Sequence, residues 1–370
     1  MKRLPYILLA VAAVIIAVAT FIESAAGSGA AHHYIYDAVW FYALWGIIAA
    51  SGLWLTFRSK NRHSVGLRLF HLAFVAILLG AVMPSETTDL HLREGMPTTT
   101  MPFALRLDSF LVDYYPDGNT VFDYRAELSL FDGDTIARPV TISMNQVYCR
   151  DGYRFCLNSF DPDLRGAVFV VKHGASSSWL TYLGYLLLVV TALACCIRKL
   201  DKRKWKALFG WGIVVVLAAS LLRWFLAFPP GHSLSVAPSG ICFPIANPVL
   251  RSPFLYFHVA IIITAYIMYA VAAFRPHRTL VYVATMLLAM GIAVGAMWAG
   301  VSWGTCWSWD PKEAWALITL IVYAIPLHRY SLPLFRNDRW YALYIRLALL
   351  VLLMTYFGVN TFLVGLHSYA

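Results

Sequence analysis

Four tryptophans fall within thirteen residues, in Trp303-Gly-Thr-Cys-Trp307-Ser-Trp309-Asp310-Pro311-Lys312-Glu313-Ala-Trp315. The segment joins the end of one apolar run to the start of the next. Tryptophan favours membrane interfaces, where its ring is apolar and its N–H stays wet, but a plain aromatic belt needs one or two per helix end. Four of them, interleaved with Gly and Ser, suggest a platform for something flat and aromatic; a dense interfacial belt is the simpler alternative. The histidines add chemistry. His71 and His328 fall near one membrane face, and His258 and His367 near the other, beside the tryptophan segment. Ionisable residues in or near membrane spans are functional candidates by default. Paired neutral imidazoles next to aromatic rings suit haem iron, which takes two axial nitrogens while the macrocycle packs on apolar side chains.

The elements that hold these residues are membrane helices. The 370 residues are 60% hydrophobic and 13% charged, against about 25% charged in soluble domains. Nine runs, near 5–22, 38–57, 67–84, 179–197, 207–227, 254–274, 279–300, 312–328 and 341–360, approach the ~20 apolar residues that cross a bilayer as helix. Lys and Arg crowd one set of loops, notably 58–68, 198–206 and 329–346. The positive-inside rule then puts the N-terminus inside and the C-terminus outside. The first run reads as a retained anchor rather than a cleaved signal peptide. Residues 85–178 differ in kind. Alternating runs at 120–130 and 167–172, bounded by Pro-Asp-Gly and Asp-Gly-Asp turns, predict antiparallel strands. The expected fold is a polytopic all-α membrane protein of about nine transmembrane helices, with a small extracytoplasmic β-rich domain between spans three and four.

Asp310-Pro311-Lys312-Glu313 predicts a helix start, with Asp as cap, Pro at the first helical position and Glu placed to close a capping box. Capping is a sufficient role for both acids. His328 lies seventeen residues further on, about 26 Å along the helix and so at the opposite face. No His-x₃-His or Cys-x₂-Cys suits zinc, and no CxxC or CxxCH marks a thioredoxin-like enzyme or a c-type cytochrome. Cys149 and Cys156 lie in the outer domain, either paired or as two buried thiols. His32, His33, His63, His91, His173, His232 and His277 read as solvated or structural. Arg223 and Arg251 could meet propionates, although the reading as snorkelling interfacial cations fits better. The net charge of +10 reflects the inside bias and predicts no nucleic-acid partner.

The tryptophan segment resembles the WWD signature of haem-handling proteins in cytochrome c biogenesis. Gly365-Leu-His367-Ser-Tyr369, Ser252-Pro253-x₄-His258 and the position of His328 are similar to the CcsA branch of that family. The first half resembles ResB (CcsB): Phe70-His71-Leu-Ala-Phe74 with Gly80-Ala81, then Tyr153-Arg-Phe155, Asp161-Pro-Asp163, Gly166 and Tyr182-x-Gly184-Tyr185. The order is that of the fused system II cytochrome c synthases, CcsBA, with an outer domain shorter than is typical.

The resemblance implies a division into a ResB-like region, 1–204, with four spans and the outer β-domain at about 85–178, and a CcsA-like region, 205–370, with five spans. It implies a bacterial cytoplasmic-membrane holocytochrome c synthase of the haem lyase type. Haem b, taken as substrate, is held by His71 and His328. It then passes to an outer site of His258, His367, Trp303, Trp307, Trp309, Asp310 and Trp315. There it is attached to the CxxCH motif of an apocytochrome c whose thiols a thioredoxin-like protein keeps reduced. Two rival readings are a haem transporter or chaperone without catalysis, and a two-haem electron carrier.

Overall fold

The computed structural model describes residues 3–58, 65–83, 86–98, 102–114, 121–131, 138–143, 146–173, 176–199, 253–302 and 305–363. The fifth expected span, 207–227, lies outside these, as do Trp303, His367, His63, His232, Arg223 and Arg251.

Helix α1, Leu4–Ala26, is mostly apolar, starts with Pro5 in its first turn and stops at Gly27, whose φ of 87° leaves helical space. A single turn at Ser28–Ala31 and a π-turn at His32–Tyr36 lead into α2, Val39–Arg58. Helices α3, Val65–Val82, and α4, Ser176–Lys199, flank the β-domain. Helices α5, Pro253–Phe274, and α6, Arg278–Ser302, form a hairpin. Then come α7, Pro311–Ala324, and α8, Asp338–Leu353, which runs on through a π-turn at Met354–Gly358 to Phe362. Among the described residues, seven helices are long and apolar enough to cross a membrane.

Helix α7 is shorter than the 312–328 run suggested. Pro326 lacks the N–H an α-helix needs, and the chain tightens into a 3₁₀ turn at Ile325–His328. Helix and turn together extend about 29 Å, close to the hydrocarbon thickness.

Between α3 and α4 the alternating segments form two four-stranded antiparallel sheets. One has the order β1-β8-β7-β6 and the other β2-β3-β4-β5. Their ranges are β1 Glu86–Arg93, β2 Pro97–Thr98, β3 Ala104–Tyr114, β4 Val121–Phe131, β5 Arg138–Ser143, β6 Tyr148–Arg150, β7 Tyr153–Phe160 and β8 Gly166–His173. The runs at 120–130 and 167–172 are thus β4 and β8. The sheets share one apolar core of Phe155, Phe169 and Val171 from one and Leu105, Leu107, Leu128 and Ile142 from the other. Cys149 and Cys156 are both free thiols.

Two cores organise the membrane part. The larger joins α3, α4, α5, α6, α7 and α8 around Tyr185, Tyr269 and Tyr323. The second joins α1, the 31–41 segment and α7 around Ile16, Tyr36, Phe41 and Trp315. Hydroxyls tie this second core across helices. The Trp315 N–H donates to Thr20 Oγ1 at 3.1 Å, and Thr319 and Thr355 share a hydrogen bond of 2.7 Å. Such bonds bind helices where no hydrophobic force separates helix from lipid.

Candidate functional site

His71, on α3, and His328, at the end of the 3₁₀ turn after α7, come together at the end of the bundle away from the β-domain. Their ring centroids are 6.2 Å apart and their planes cross at 78°. His71 Nδ1 lies 2.7 Å from the Leu67 carbonyl oxygen, and His328 Nδ1 lies 3.0 Å from that of Ala324. A carbonyl only accepts, so in both rings Nδ1 carries the proton, and in the neutral form of each ring Nε2 carries the lone pair. This is the arrangement by which a backbone oxygen sets the ligating tautomer of a metal-binding histidine. Ring bonds of about 1.33 Å put each nitrogen about 1.1 Å from its centroid. With metal–imidazole bonds of about 2.0 Å, two imidazoles directly opposite each other across one ion have centroids about 6.2 Å apart. The pair has that spacing. Tyr6, from α1, lies over His328 with centroids 5.0 Å apart.

His258 is one turn into α5 and is half-buried against α6. Its Nδ1 donates to the Gly291 carbonyl at 2.7 Å, which again leaves the lone pair on Nε2. Gly295, one turn further along α6, makes room for the ring. A Cβ there would stand 2.5 Å from both Nδ1 and Cε1 of His258. Gly295→Ala is therefore expected to cost about 1–3 kcal/mol by overpacking and to lower the melting temperature in detergent. Gly46→Ala, with nothing within 4 Å of its added carbon, leaves it unchanged. From Gly295 to Ser302, where α6 ends before the tryptophan loop, is about 10 Å of helix.

In the loop, Asp310 caps α7 by accepting from the Lys312 N–H at 3.0 Å, with Pro311 at the first helical position. The expected capping box closes differently. Glu313 Oε2 accepts from the Ser308 N–H (2.9 Å) and hydroxyl (3.2 Å), two residues before the cap. The reason is Trp309, whose φ of +61° reverses the chain and swings Ser308 over the first turn. For a bulky residue this conformation costs on the order of 1–3 kcal/mol and persists only when its surroundings fix it. Here they do: Trp309 stacks on Tyr36 (4.9 Å, 7°) and meets the edges of Phe41 (5.3 Å) and Trp307 (5.7 Å, 88°).

Adjacent tryptophans thus do not make one flat surface among the described residues. Trp307 stands perpendicular to Trp309, and the parallel partner of Trp309 is Tyr36. Trp315 is buried in the α1–α7 seam, bonded to Thr20. Tyr6, Tyr36 and Phe41 carried no signal in the sequence. Their partners lie hundreds of residues away, and no local spacing marks them.

The β-domain docks on this loop. Arg154, on β7, donates to the Gly300 carbonyl at 3.2 Å, beside the Cys306 thiol and the Tyr182 hydroxyl. Burial raises the Cys306 pKa above the ordinary thiol value, while the Tyr182 hydrogen bond and nearby Arg154 and Lys172 oppose the rise. The group stays a thiol, which is a poor nucleophile. His32 pairs with Asp37 (3.1 Å) and His91 with Asp161 (3.0 Å), as expected of structural histidines.

Helices and β-domain define a polytopic membrane protein with an inserted β-sandwich, and comparison with known proteins narrows the class. The ResB-like family model matches residues 60–179, and that of Cytochrome C assembly protein matches 275–367. Protein NrfI of Wolinella succinogenes is 36% identical over 153 residues, 33% of this chain and 17% of NrfI. Cytochrome c biogenesis protein CcsA is 47% identical over 93 residues in Synechococcus sp. (25% of this chain, 28% of the relative). In Lactuca sativa it is 48% identical over 84 residues (23% and 26%). The chain spans under a third of the length of these curated relatives. It joins a region similar to ResB to a region similar to cytochrome c assembly proteins, in the order of the fused CcsBA-like architecture.

Proposed function

We propose that this protein carries haem b across the membrane and attaches it through thioethers to the CxxCH motif of an apocytochrome c, as a holocytochrome c synthase of the haem lyase type. The observation that carries the reading is the His71–His328 pair. Two neutral imidazoles stand at the separation of two ligands on one iron, one from each half of a fused chain, each with its ligating tautomer set by a backbone carbonyl.

In this reading the N-terminus is cytoplasmic and the C-terminus extracytoplasmic, in a bacterial cytoplasmic membrane, with the halves dividing at about residue 204. His71 and His328 capture haem at the inner face. His258 and His367 hold the iron at the outer face. Trp303, Trp307 and Trp309 enclose the ring, Asp310 fixes the loop, and Trp315 anchors it to α1. The work of the outer site is positioning, since thiol addition to a vinyl group needs the partners aligned more than it needs a strong catalyst. A thioredoxin-like partner keeps the client thiols reduced.

Co-expression with a CxxCH polypeptide tests the proposal by pyridine haemochrome spectra. The expected result is b-type haem on the purified protein and covalent, c-type haem on the polypeptide. No Soret band under ample haem supply overturns it. Haem on the protein with none attached to the polypeptide turns the reading to a transporter.

A further inference from the structure

The N-terminal segment, which neither family match covers, forms one wall of the outer site. Thr20 bonds Trp315, Tyr36 stacks on Trp309 and Phe41 meets the Trp309 edge. Glu23 lies three residues beyond Thr20 on α1, hence on the same face and one turn nearer the start of α7.

The placement of Glu23 is costly. It occupies the last turn of α1, where the helix dipole opposes negative charge. Its Oε2 is buried and, among the described residues, has no hydrogen-bond partner. Nor has the Tyr36 hydroxyl, on a side chain 1% exposed. The Glu23 and Asp310 carboxylates both act on that phenol, which burial first and then these charges hold well above its ordinary pKa. Tyr36 is therefore a neutral O–H. Buried polar atoms left unpaired ask for an explanation, and a ligand is one. The loop's own acids are engaged, Asp310 with the Lys312 N–H and Glu313 with Ser308. Glu23 is the carboxyl beside the tryptophan loop whose buried oxygen has no such bond.

We propose that Glu23 is the proton-transfer group of the outer site. This rests on the function proposed above. Thioether formation breaks the cysteine S–H bond and the vinyl π bond, and makes one C–S and one C–H bond; no electrons are gained or lost. The proton must leave sulfur and reach the terminal vinyl carbon. The Glu23 carboxylate takes the thiol proton, and the resulting carboxylic acid gives a proton to that carbon, which restores the carboxylate. A carboxyl suits both steps, and general acid–base catalysis of this kind contributes about 10²–10⁴-fold.

The test compares wild type, Glu23→Gln and Glu23→Asp in the full-length protein co-expressed with a CxxCH polypeptide. It reads haem content, melting temperature and attachment rate. The expected result for Glu23→Gln is haem content within about twofold of wild type, a melting temperature no lower, and attachment slowed at least about a hundredfold. Glu23→Asp recovers part of the rate. Wild-type attachment by Glu23→Gln overturns the proposal, and so does a joint loss of haem and stability, which would make Glu23 a structural residue. A wild-type protein that loads haem but attaches none overturns the proposed function itself.

Discussion

Replacing His258 with glycine is expected to abolish haem attachment, and added imidazole to restore part of it. The argument starts from the ring's surroundings. Its Nδ1 is fixed by the Gly291 carbonyl, and its flank lies where Gly295 has no side chain. The Nε2 lone pair therefore has a set direction. Removing the side chain leaves a slot of imidazole shape between α5 and α6, with the carbonyl acceptor still in place. Free imidazole entering that slot finds the same hydrogen bond and presents the same lone pair. In the proposed function, loss of this ligand would leave the iron out of register with the tryptophan loop, and misplacements of about 1 Å cost on the order of 10²-fold in rate. The measurement is covalent haem on a co-expressed CxxCH polypeptide, with and without imidazole. Undiminished attachment by the glycine variant without imidazole would show that His258 does not hold the reacting haem.

What the sequence made legible, and what it did not, divides along physical lines. Local rules were readable. Asp310-Pro311 states a helix start through cap and ring geometry, and Asp310 caps. The alternation at 120–130 and 167–172 states strands, and the sandwich contains them. The far end of α7 from the tryptophan loop could be placed by counting residues, because helical rise is nearly constant, and His328 lies at that end, although Pro326 converts the last turn to 3₁₀. What escaped was the choice of partner across the chain. Thr20 meets Trp315 across 295 residues, and Tyr36 finds Trp309 by packing rather than by spacing. Ring planes escaped for the same reason. Four nearby tryptophans state density, but a positive φ at Trp309 decides which aromatic becomes the parallel one. The Glu313 partner moved to Ser308 through the same backbone reversal.

The largest effect at the inner end follows from the order of events in the proposed function. His71 and His328 belong to different halves of the fusion, and their rings meet at 6.2 Å. Each is anchored through Nδ1 to the carbonyl four residues earlier, on its own helical segment. Either imidazole alone holds one side of an iron. Both together would hold a bound macrocycle between α3 and the end of α7, where Tyr6 of α1 packs against His328. If haem enters here and then moves outward, loss of the inner pair starves the outer site, whereas loss of an outer ligand leaves the inner site filled. His71→Gly and His328→Gly are each expected to deplete total haem and to reduce attachment in proportion. His258→Gly is expected to keep inner haem, retain a bis-imidazole spectrum and lose attachment alone. Two independent sites would differ in the inner variants, which would then lose only the inner haem and keep a loaded outer site and attachment. The measurement is haem per protein in the single glycine variants, read beside attachment and repeated with imidazole in the growth medium. Full outer occupancy and normal attachment in both the His71 and the His328 variants would mean that haem reaches the tryptophan loop by another path, because no supply then passes between these two rings.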